Sequence, residues 1–124
     1  MNPNDLPRID FDMKELRALV AILDANIRHS RRLMATFSRK KQAVEKKRIP
    51  LLINVKTALK QQIEKGEVGL VLTREELRAV IKALKVYRGY IIEHVSRDEN
   101  RDTVLIISYS WLERFNGILA QIHP

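Results

Sequence analysis

Apolar and polar positions along the chain repeat with the period of an α-helix over most of its length. From residue 12 a 4-3-4 rhythm sets Leu16, Val20, Leu23, Ile27, Met34 and Phe37 on one face. Leu19, Ile22, Leu33 and Val44 widen that face, while Ser30 and Lys41 fall inside the seam and weaken its second half. The start is specified three times over. Asp12 suits an N-cap, Glu15 completes a capping box, and Phe11 and Leu16 are spaced for a hydrophobic staple. The pattern predicts one long helix over 12–48, roughly 55 Å if straight, at about 1.5 Å per residue. Pro50 is expected to break or kink it, since proline lacks an N–H and disfavours helical geometry at Ile49.

A second helix is predicted from Pro50, with Leu52, Val55, Leu59 and Ile63 on one side and Gly66 as its left-handed stop. A single kinked rod over 12–65 is the alternative. Residues 66–72 read as a connector in which Leu70 and Leu72 alternate with Val71, a short extended segment and a candidate hinge. Thr73 and Glu76 form a second capping box, opening a helix whose inner side carries Leu77, Val80, Ile81, Leu84, Ile91 and Val95. Arg88 interrupts that side and must be paired, snorkelled or turned to a partner, with Tyr87 and Tyr90 nearby. Residues 96–102 read as a polar turn. The last helix, about 102–122, has the widest apolar face, roughly 160°. Residues 1–11, with Pro3 and Pro7, read as an N-terminal arm that Leu6, Ile9 and Phe11 could fasten to the body.

These elements predict an all-α fold, a helical bundle of about four helices with a long first helix, over a single domain at 12–124. The surplus apolar surface of the last helix predicts a homodimer, with Trp111 and Phe115 as interface aromatics.

Charge sharpens the picture. Residues 28–48 hold nine basic side chains and one acid, Glu45, a balance of +8. The whole chain also stands at +8, so the remaining fourteen basic and fourteen acidic residues cancel. On one continuous helix Lys14, Arg17, Arg28, Arg32, Arg39 and Lys46 would form a stripe about 60° wide. Such a run is an electrostatic footprint for an anion. Arg28, Arg31, Arg32, Arg39, Lys40, Lys46 and Lys47 are the expected contacts, and nucleic acid is the expected partner. A structural or adaptor module docking on an acidic protein is the second expectation. A basic amphipathic membrane-surface helix is the third and weakest, because apolar residues thin out where charge is densest.

Catalytic chemistry does not assemble. The chain has no cysteine, its three histidines (His29, His94, His123) are scattered, and no Glu-x-x-His, His-Glu-x-x-His or phosphate-loop pattern occurs. A non-enzymatic protein without cofactor or metal is expected. No apolar h-region opens the sequence and no apolar run approaches ~18 residues, so neither a signal peptide nor a membrane span is expected. The cytoplasm is the expected compartment.

Overall fold

A computed structural model of the chain describes residues 8–67, 69–94 and 99–122. Among them are four α-helices, α1 (Met13–Leu33), α2 (Arg39–Lys65), α3 (Arg74–His94) and α4 (Glu99–Ile122), and two short strands, β1 (Arg8–Asp10) and β2 (Gly69–Val71). The molecule is an all-α helical bundle carrying one small antiparallel ribbon, in which Ile9 lies opposite Leu70.

Both predicted capping boxes form. Asp12 accepts from the Glu15 amide at 2.8 Å while Glu15 accepts from the Asp12 amide at 3.2 Å. Thr73 and Glu76 exchange the same pair of bonds at 2.9 and 3.2 Å. Gly66 ends α2 at φ 68°, in the left-handed region that glycine enters without a Cβ penalty.

The first helix differs from expectation. It stops at Leu33, followed by a 3-10 turn over Met34–Thr36 and an extended Phe37. Ser38 then caps α2, its hydroxyl accepting from the Lys41 amide at 3.2 Å. Pro50 lies inside α2, exposed, and does not end it. The physical reason is burial. A straight helix over 12–48 would leave Leu23 and Ile27 without the opposing layer that α2 supplies through Ile49, Leu52 and Val55, all of them buried here. Leucine and isoleucine burial is worth about 1.5–3 kcal/mol per side chain, enough to outweigh the ~3 kcal/mol cost of an interior proline.

α1 and α2 thus form an antiparallel hairpin, and α3 lies against both. One contiguous core draws Leu16, Leu23, Leu52, Leu59, Leu77 and Leu84 from these three helices and Trp111, Leu112 and Phe115 from α4. The stretch expected as an arm is fastened over 8–11 by strand pairing and by Phe11, which is buried against Phe115 at 5.6 Å. Residues 1–7, including Leu6 and Pro7, lie outside the described residues, as do Val95 and part of the predicted 96–102 turn. No helix among the described residues is long and apolar enough to cross a membrane.

Candidate nucleic-acid interface

The break at 34–38 folds the basic run back on itself. Residues 28–33 close α1 and residues 39–48 open α2, so the stretch becomes the closed end of a hairpin instead of the middle of a rod. Extended as helix it would measure ~32 Å. Folded, it occupies roughly half that length, at 1.5 Å per residue. The predicted 60° stripe therefore does not form, because Arg39 and Lys46 belong to a different helix from Lys14, Arg17, Arg28 and Arg32. What forms is a cationic tip.

Arg28, Arg31, Arg32, Arg39, Lys40, Lys41, Lys46 and Lys47 are all exposed there. The ninth basic residue, Arg48, is 6% exposed and turned inward. Its Nε donates to Glu45 Oε2 at 2.6 Å, its Nη1 to Asn26 Oδ1 at 2.7 Å and its Nη2 to Ser30 Oγ at 3.0 Å. Glu45, the one acid of the run, is buried as well, with Lys82 of α3 at 3.8 Å. The acid of the tip is consumed beneath the surface, and the eight outer cations are left without it. Among the described residues, Arg28 alone of the eight meets a carboxylate, Asp24 at 3.2 Å, with its own side chain 74% exposed. An exposed pair of this kind is worth little. A hydrogen bond from Lys56 Nζ (3.0 Å), with the charges of Lys56, Arg28 and Lys60, holds the Asp24 carboxyl below its ordinary value against a smaller opposing effect of burial.

Local electrostatics add to the excess. The first turn of α2 contains no acid and begins Arg39, Lys40, Lys41, at the positive end of the helix dipole. Gln42 stitches the turn by donating to the carbonyls of Met34 (3.0 Å) and Phe37 (3.1 Å), and Lys41 sits 4.2 Å over the Phe37 ring. The tip is therefore a shaped surface held by its own bonds.

The sequence placed the seven expected contact residues in one run, and the structure brings them to one end of the hairpin. Reading along the chain missed the clamp that positions them. Its signal was present: Asn26 and Ser30 are polar residues four apart on the apolar face of α1, and a buried polar pair requires a partner.

Trp111 and Phe115, expected at a subunit interface, sit in the chain's own core at 4% and 1% exposure. Trp111 Nε1 donates to Glu15 Oε2 at 2.6 Å, and Arg114 pairs with the same oxygen. The apolar breadth of α4 is used there to reach past α3 to the start of α1. Arg88 lies half-buried with its guanidinium 5.2 Å from the Tyr109 ring, and burial raises the Tyr87 hydroxyl above its ordinary pKa. Among the described residues no group of three or more His, Asp or Glu side chains is arranged to hold a metal ion.

Comparison with known proteins finds no matching family model, no matching curated protein and no matching solved structure.

Proposed function

We propose that this chain is a non-enzymatic binding protein whose α1–α2 tip contacts nucleic acid through the phosphate backbone, largely independently of sequence. The observation that carries the reading is the tip itself. Eight exposed cations crowd one end of a hairpin, and the one acid within residues 28–48, Glu45, is buried in a clamp. Like charges so gathered repel, and among the described residues Asp24 is the carboxylate found within ion-pair distance of any of the eight. A polyanion supplies the missing counter-charge. A duplex offers one negative charge per ~1.7 Å of axis, and each phosphate met by Lys or Arg releases a condensed counterion. Phe37, the one Phe, Tyr or Trp within residues 28–48, is half-buried beneath Lys41 and offers no free face for stacking bases. Backbone contacts without base readout give tolerance of sequence. The reading carries with it a compartment that holds nucleic acid, the cytoplasm in the simplest case.

The test is a gel-shift series across salt with unrelated duplex DNA and RNA probes. Six or more phosphate contacts imply a fall of about 10³-fold or more in affinity between ~50 and ~200 mM salt. The triple reversal Arg31→Glu, Arg39→Glu, Lys40→Glu should abolish the shift and leave helicity intact. Absence of a shift at low salt, or a shift indifferent to salt, refutes the reading. Retention on an acidic protein without any nucleic-acid shift would favour the adaptor role instead.

A further inference from the structure

The end of α3 and the start of α4 contribute no fully buried described residue to the core. Buried residues of α3 end at Leu84, and those of α4 begin at Ser108. Between them, over 85–107, no described residue is buried. This arm is nonetheless apolar. Of the eight exposed large hydrophobic side chains among the described residues, six belong to it or adjoin it: Val86, Tyr90, Ile92, Ile106, Ile107 and Tyr109. Ile106 is the extreme, at 70% exposure and on the side of α4 opposite its core contacts. The arm is a built element, since Arg101 donates to the Ile91 and Ile92 carbonyls at 3.3 and 3.1 Å and ties α4 to the end of α3.

Arm and tip lie at the same end of the molecule. Val86 and Tyr90 share a cavity of about 490 Å³ with Arg28 and Arg32, and a second cleft of about 540 Å³ runs between Ala21 of α1 and Ile107 of α4. The chain therefore presents two prongs, one cationic and one apolar.

We infer that a second copy of this chain covers the apolar prong, so that two arms pair about a two-fold axis and leave the cationic tips outside the contact. Two arguments select this occupant. The first is charge. Over 85–107 the basic residues Lys85, Arg88, Arg97 and Arg101 balance Glu93, Asp98, Glu99 and Asp102, four against four, in a chain of net charge +8. The arm itself has no net charge to draw an acidic partner away from the tip, whereas two neutral arms meet without the repulsion that two tips would impose. The second is area. At about half exposure or more, these six side chains together present on the order of several hundred Å², distributed around α3 and α4. Several hundred Å² of exposed apolar side chain is a substantial share of the ~800 Å² per partner that a standard interface buries. Self-complementary surfaces of one chain close as a two-fold dimer.

The test is sedimentation equilibrium of the full chain without nucleic acid, across salt. The expected mass is twice the 14.5 kDa of the chain. Association should strengthen toward ~1 M salt, where the Debye length shrinks to ~3 Å and the tips no longer repel. Nucleic-acid binding runs the opposite way with salt, so either reading can fail alone. Ile106→Glu or Tyr90→Glu should raise the dissociation constant at least about tenfold with the circular dichroism spectrum unchanged. Thr57→Glu, on the exposed side of α2, should not alter it. A monomer at every salt concentration overturns the inference. So does a dimer indifferent to both arm substitutions.

Discussion

Arg48 shows how one side chain decides the character of a surface. Its guanidinium spans from α2 to α1, satisfying Asn26, Ser30 and Glu45 at once. A buried ion pair of this kind is costly to desolvate, and its net contribution to stability is small while it stays intact. Removal of one partner is another matter, because the other charge is then left buried alone. Glu45→Ala should therefore destabilise the fold by about 3–5 kcal/mol, read from urea unfolding. A loss under ~1 kcal/mol would mean that Arg48 swings out to water and that the clamp does not hold the hairpin. The charge run in the sequence showed neither residue as special, because nine cations look alike until one of them is seen to face inward.

Helix boundaries were legible where local bonds set them and illegible where tertiary contacts did. Asp12, Thr73 and Gly66 mark their ends through hydrogen bonds and backbone conformation within a few residues. The α1–α2 turn carries only a Ser38 cap followed by three cations, which oppose the helix dipole at that end. Pro50 offered the stronger local signal and was overruled. Twelve residues into α2, it leaves the amide position that would bond the Lys46 carbonyl without a donor. Pro50→Ala should restore that bond and stabilise the protein by about 1–3 kcal/mol, measured as a rise in urea midpoint with unchanged slope. No gain would place compensating strain or packing at that turn of the helix.

At the scale of the molecule, charge and apolar surface are separated onto two prongs at one end, with the core behind them. The cationic prong is built against its own repulsion. Its cations are exposed, so salt should screen them, and the melting temperature should rise from low salt to about 0.15 M, where the Debye length is ~8 Å. The charge-reversed tip should be more stable than the parent at low salt and lose most of that dependence. A melting temperature that falls with salt would show instead that attractive surface pairs dominate. The expected dimer contact illustrates the same separation. The breadth of apolar residues on the last helix was visible, but it did not reveal which part is used up inside. Trp111 and Phe115 are consumed by the core, and the surplus falls nearer the α3–α4 turn.

From residue order alone came the helical period, the caps, the absence of catalytic patterns and the concentration of +8 into 28–48, all properties of near neighbours along the chain. The three-dimensional arrangement alone decided where the first helix turns back, that β1 meets β2 some sixty residues away, and that Glu45 and Arg48 lie beneath the tip. It also decided which half of the α3–α4 hairpin has something to pack against. The reason is common to all four. Each depends on which distant segment supplies the opposing apolar layer, and burial against that layer outweighs a proline or a cap.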